Sequence, residues 1–155
     1  MSLNETELKK IIDQAQNSCV ESGGRLTAKR KNILTALLSS DMPQSAYEIA
    51  EYYKNEFNES IPVMSVYRML EFLIKESLVH KLVSTNKYVA CSHIACSHAH
   101  QVPQFLICDQ CHHVREVGVK KDIIEALQSS VENADFYLKS PELELHGICK
   151  DCHQS

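Results

Sequence analysis

The sequence contains no apolar run near the roughly 18 residues that a membrane-crossing helix needs. Its opening residues, MSLNETELKK, hold no hydrophobic stretch of the kind that directs secretion. Tryptophan is absent, and glycine and proline appear only four times each. There is no internal repeat and no low-complexity tract. Membrane spanning and secretion are therefore not expected, and a cytoplasmic location is. Excess positive charge is also missing: the net charge of −4 counts, taken whole, against a nucleic-acid binder. What remains is a chain of 155 residues, 44% hydrophobic, able to bury a core as one domain or as two small ones.

The charge is uneven. Residues 1–90 carry eleven Lys/Arg against eleven Asp/Glu, whereas residues 91–155 carry five against nine. All the excess acidity lies in the second part, and Arg25, Lys29, Arg30 and Lys31 make a local basic cluster in the first. Local patches rather than total charge set phosphate affinity, although such a run also serves as an ordinary solvated helix face. Seven cysteines without a secretory segment are expected to be reduced thiols, used for metal or chemistry rather than for disulfides.

Periodicity places a first helix over residues 4–21, with Leu8, Ile11, Ile12, Ala15, Cys19 and Val20 on one stripe and Gly23-Gly24 ending it. Cys19 on that stripe reads as a buried thiol. Thr27 can cap a second helix whose Ile33, Leu34, Leu37 and Leu38 face inward. Ser45 and Glu48 form a capping box that opens a third helix running to Phe57. A fourth helix begins near Pro62, buries Val63, Val66, Leu70 and Leu73, and leaves Ser65, Tyr67 and Arg68 near its exposed start. Val79–Val83 and Lys87–Cys91, separated by Ser84-Thr-Asn86, read as a β-hairpin.

Short helices followed by a hairpin make the winged helix-turn-helix pattern, which presents one helix end to the major groove and the wing to the adjacent backbone. Arg68 suits bidentate contact with guanine, and Tyr67 suits a base or phosphate. Alternatively, Tyr67 packs beside its helix and Arg68 pairs with a carboxylate. Beyond the hairpin, residues 92–103 read as an irregular His-rich loop ended by Pro103. Gln104–Cys108 and Val114–Val117 read as strands, and residues 119–132 as a helix with Val119, Ile123, Leu127 and Val131 on one face. Phe136–Leu138 and Leu143–His146 read as further strands. The expected fold is α+β: a winged-helix domain over 1–91, a hinge loop over 92–103, and a metal-binding α/β dimerisation domain over 104–155.

Eleven Cys, His and Glu side chains fall within the 37 residues from His80 to Glu116. The sharpest motif is Cys108-Asp-Gln-Cys111 with Cys149-Lys-Asp-Cys152, two knuckles whose four thiolates suit a closed tetrahedral Zn²⁺ site. A redox dithiol is the competing use of one such pair. A second constellation comprises His80, Cys91, His100 and Glu116, with His93, Cys96 and His98 nearby. One thiolate among imidazoles and a carboxylate favours Zn²⁺ over harder Fe²⁺ or Mn²⁺. Any single one of these histidines would be ordinary in a polar loop; the set is not.

Arg25-Leu-Thr-Ala-Lys-Arg30, Ser45-Ala-Tyr47, Ser65-Val-Tyr-Arg68, Phe105-Leu-Ile-Cys-Asp-Gln-Cys111 and His146-Gly-Ile-Cys149 together resemble the ferric uptake regulator family. The resemblance runs from about residue 8 to Cys152. Val79-His-Lys81, Ser84-Thr-Asn86, Tyr88-Val-Ala-Cys91 and Leu145-His-Gly147 look like its zinc uptake regulator branch. The resemblance implies a homodimeric repressor, not an enzyme, that binds double-stranded operator DNA when zinc-loaded and shuts off zinc-uptake genes, with no membrane partner and no small organic substrate. It implies two zinc ions per protomer, one structural at Cys108, Cys111, Cys149 and Cys152, and one regulatory at His80, Cys91, His100 and Glu116. His100 is preferred to His98 because its distance to Cys108 is nearer the branch pattern. DNA contacts would map onto Tyr47 and Arg68, beside Ser65 and Tyr67, with Arg25 and Arg30 near phosphates. The dense His-His-x-His run of iron-sensing members is missing; here the loop reads His98-Ala-His100.

The rivals are a sibling regulator sensing another metal or peroxide, with Cys91 or Cys96 as the oxidisable thiolate, and a thiol oxidoreductase. The oxidoreductase would need a low-pKa cysteine at a helix start within a βαβ pattern, which neither pair shows. Hydrolytic zinc chemistry with Glu116 as base would need an open coordination position.

Overall fold

The computed structural model describes residues 3–94 and 101–155. The chain divides into two compact units, Met1–Cys96 and Ser97–Ser155. In the first, α1 (Glu5–Glu21) opens on a reciprocal capping box, the Glu7 N–H donating to the Asn4 side chain at 2.8 Å and the Asn4 N–H to Glu7 at 3.1 Å. Helix α2 (Ala28–Leu38) is capped by Thr27 as expected. Helix α3 (Ala46–Phe57) uses the expected Ser45–Glu48 box and stops at Asn58, which takes the left-handed conformation. Helix α4 (Val63–Lys75) follows Pro62, which sits extended just before it.

Strands β1 (Val79–Leu82) and β2 (Lys87–Ala90) pair antiparallel, and Asn86 adopts φ +53° in the connecting turn. Gln44 and Tyr88 exchange backbone hydrogen bonds at 3.0 and 2.8 Å, which ties the hairpin to the residues just before α3. The core is the meeting of the four helices: Ala15, Cys19, Ile33, Leu34, Ile49, Tyr53, Val66, Leu70 and Leu73 are wholly buried. Val20, expected on the apolar stripe of α1, is 65% exposed. It lies about 100° around the helix from the buried Cys19, on a side of α1 that stays open to solvent.

In the second unit a three-stranded sheet has the order β4-β3-β5. Strands β3 (Gln101–Cys108) and β4 (Val114–Lys120) form an antiparallel hairpin, then α5 (Lys121–Glu132) leads to β5 (Glu144–Gly147), parallel to β3, and α6 (Lys150–His153) closes the chain. Three expectations change. Gln101–Pro103 belong to β3 rather than to a loop. Proline is tolerated there because β5 pairs only from Phe105 onward, leaving this end of β3 with one neighbour. Val119 lies in β4 rather than in a helix, since Val117 and Val119 continue the two-residue alternation opposite Gln104 and Val102. Consequently α5 buries Ile124, while Ile123 is 58% exposed. Phe136–Leu138 make no strand; among the described residues they pair with nothing in the ladder, and Phe136 and Tyr137 are largely exposed.

No helix among the described residues is long and apolar enough to cross a membrane.

Candidate metal centre and nucleic-acid face

The parallel pairing of β5 with β3 sets Cys108 opposite Gly147 and so carries the second knuckle onto the first. Two backbone bonds fix the first knuckle: the His112 N–H donates to the Cys108 carbonyl at 2.9 Å and the Cys108 N–H to the His113 carbonyl at 3.0 Å. The Asp109 N–H reaches the Gly147 carbonyl at 2.9 Å, and the Asp109 carboxylate meets His146 Nδ1 at 2.8 Å. The thiols of Cys108, Cys111, Cys149 and Cys152 all lie within 4.8 Å of one another. Cys111 and Cys149 are 3.7 Å apart, close to the edge of about 3.8 Å that four sulfurs at a Zn–S distance of about 2.3 Å would share.

These thiols cannot all ionise unaided. The Cys111 and Cys149 backbone N–H groups hold the Cys108 thiol down to about 6. Cys152 is pushed up to about 12 by the sulfurs of Cys149 and Cys111 beside it. Cys111 also ends raised: the His113 N–H favours its thiolate, but the sulfurs of Cys108 and Cys149, together with burial, outweigh that. One thiolate is stabilised while Cys111 and Cys152 are pushed towards their protonated forms, which is the behaviour of like charges crowded into one site. A soft divalent cation removes the conflict by replacing the protons, so the donor set fits Zn²⁺.

The other expected ligands are placed within their own units. His80 is buried on β1, and its ligand atom lies within 4.8 Å of the Cys91 sulfur. Cys91 follows β2 directly, its N–H bonded to the Leu78 carbonyl at 2.9 Å, while its sulfur accepts the His93 N–H at 3.4 Å. Glu116 is half-buried on β4, in register with Phe105. His98, His100 and Cys96 lie outside the described residues.

Of the expected DNA contacts, Arg30, Ser65 and Arg68 line one open groove of the first unit. Tyr47 is 68% exposed on the first turn of α3. Ser65, Arg68 and Met69 of α4 face Thr27, Ala28, Lys29 and Arg30 across an open groove. Arg30 donates to the Arg25 carbonyl at 2.7 Å, and its guanidinium carbon lies 3.6 Å from the centre of the Phe72 ring. Lys29 forms an ion pair with Glu59 at 2.9 Å. Tyr67 is half-buried and packs against the helical core, so most of its ring serves packing. Met64, one turn before Arg68, is 66% exposed and belongs to no motif in the sequence. Its position off the Val63–Val66–Leu70 stripe was the available signal. Phe72 shows no feature in the sequence until the fold sets Arg30 on it.

This is a winged-helix unit joined in sequence to an α/β unit that gathers four thiols. The chain belongs to the ferric uptake regulator family, whose model matches residues 21–154. The zinc uptake regulation protein of Escherichia coli (strain K12) is 32% identical over 152 residues, covering 97% of this chain and 85% of that relative. A peroxide-responsive repressor, PerR of Staphylococcus saprophyticus, is 28% identical, covering 94% and 96%. Among solved structures, holo XcZur is 34% identical with a TM-score of 0.77, covering 93% of this chain and 97% of its own. A zinc uptake regulator complexed with zinc and DNA is 27% identical with a TM-score of 0.81, covering 97% of each chain.

Proposed function

We propose that this chain is a zinc-responsive transcriptional repressor that binds operator DNA as a homodimer when zinc-loaded and represses zinc-uptake genes in the cytoplasm. The observation that carries this reading is the placement of soft ligands on the wing itself. His80 and Cys91 sit at the base of the hairpin, within 4.8 Å of each other, in the unit that presents Tyr47, Ser65 and Arg68. Similarity to zinc uptake regulators, one of them bound to zinc and DNA, supports the same assignment.

In this reading Cys108, Cys111, Cys149 and Cys152 hold a structural zinc. His80, Cys91, His100 and Glu116 hold a regulatory one, with His98 as the alternative to His100, giving two per protomer. Zn²⁺ held by these side chains would link their nitrogen, sulfur and oxygen donors. His80 and Cys91 then anchor the wing, Glu116 anchors β4, and the recognition helices of the two protomers are set at the spacing of two half-sites. The ligand shifts the equilibrium by its differential affinity for the DNA-competent arrangement. Arg68 reads a base by its fork, Tyr47 contributes a second contact, and Arg25 and Arg30 meet phosphates. The chain acts as a regulator, without a catalytic role.

Glu116→Ala should weaken zinc-dependent DNA binding while one tightly held zinc per protomer and the circular dichroism spectrum persist. Unchanged zinc-dependent binding would remove Glu116 from the site. A second reading, a peroxide-sensing sibling, draws on the partly exposed Cys91 sulfur, which accepts the His93 N–H. Loss of DNA binding on peroxide addition at fixed free zinc would select it.

A further inference from the structure

We propose that Phe72 is a positioning residue for DNA binding: its ring fixes the Arg30 guanidinium to meet a phosphate and registers that group to Arg68. The inference rests on the DNA-binding reading above and adds to it a residue that need not touch DNA.

A free arginine loses about 2 kcal/mol of rotamer freedom when it is ordered, and a side chain ordered beforehand does not lose it again on binding. The Arg30 guanidinium is held by two contacts. Its Nη1 donates to the Arg25 carbonyl at 2.7 Å, and its plane is set against the Phe72 ring. The guanidinium lies 3.6 Å above Phe72, so the ring covers a face of the plane and leaves its edge, where the N–H donors point, uncovered by the stack. Arg30 also lines the groove shared with Thr27, Ser65 and Arg68.

Phe72 follows Arg68 by four residues on α4, so the two are neighbours on that helix. A phosphate-facing group on α2 and a base-facing group on α4 are thereby referred to one helix. The chain leaves room for this. A Cβ on Gly24 would lie 3.4 Å from two atoms of the Phe72 ring and 3.2 Å from Glu76 Oε1, so the connection between α1 and α2 runs against the ring edge without a side chain. Lys29, the preceding residue, is instead drawn to Glu59.

The test is a double-mutant cycle on the zinc-loaded full chain, reading affinity for a random-sequence duplex of about 30 base pairs against salt. Phe72→Leu should weaken binding roughly two- to fivefold when Arg30 is present, and Phe72→Tyr should preserve it. Arg30→Ala should reduce the slope of log affinity against log salt by about 0.9 for each phosphate it no longer neutralises. In the Arg30→Ala background, Phe72→Leu should then cost nothing further. Equal losses in both backgrounds, or no loss in either, would overturn the positioning role while leaving DNA binding intact. Failure of the unmutated zinc-loaded chain to bind any duplex at low salt would instead overturn the DNA-binding reading, and the inference with it.

Discussion

At the scale of single residues, the second unit is organised around groups whose value depends on what is brought to them. Gln104 is only 1% exposed, yet its amide donates to the Pro141 carbonyl and accepts from the Leu143 N–H, each at 2.8 Å. It extends the β3–β5 ladder by one side chain and so holds the strand that delivers Cys149. Gln104→Leu should lower stability by about 2 kcal/mol, because two backbone groups lose their partner in a buried place. Thermal unfolding checks this, and an unchanged midpoint would show that water replaces the amide. Nothing in the sequence announces this glutamine, since its partners lie 37 and 39 residues away. The cysteines differ: their short spacing within each pair is itself the signal, and the four thiols do converge as the two knuckles suggested.

At the scale of elements, local chemistry was readable where it is local. Thr27 and the Ser45–Glu48 box name the starts of α2 and α3 because a cap acts over three residues. The β4–α5 boundary was not readable, because Val117 and Val119 suit a strand while Val119, Ile123 and Leu127 also suit a helix. Pairing with β3 decided between them. Glu48 shows one element serving two. It bonds the Ser45 N–H at 2.6 Å and the Lys87 ammonium at 3.2 Å, linking α3 to the wing. Its carboxyl is held below the ordinary range, first by the Ser45 backbone N–H and then, against some burial, by Lys87. A depressed carboxyl contributes stability that is present above its unfolded value and is lost as pH falls through the folded one. Glu48→Gln should therefore cost about 1 kcal/mol near neutrality and almost nothing once the carboxyl is protonated in acid. A cost that does not shrink in acid would mean the charge is irrelevant.

At the scale of the whole molecule, the second unit leaves apolar groups open. Leu106 and Leu145 stand opposite each other in the β3–β5 register, 39% and 48% exposed, while Phe105 and Ile107 fill the other face. Ile123, Phe136 and Tyr137 are also exposed. A dimer would cover such surface. If the proposed homodimer uses this face, Leu145→Glu should shift it to monomers in sedimentation and weaken operator binding, since half-sites are then met one at a time; an unchanged dimer would place the interface elsewhere. Sequence resemblance suggested the dimer and the regulatory ligand set, but ligands contributed by separate elements are a property of assembly rather than of any one stretch.

The most direct measurement is affinity for an operator duplex against buffered free Zn²⁺, Fe²⁺ and Mn²⁺, with metal content per protomer followed throughout. Expected is one zinc retained at every buffered level and a second whose binding raises DNA affinity, with iron and manganese ineffective at matched free concentrations. DNA binding indifferent to the second zinc, or driven equally by iron or manganese, would contradict zinc sensing.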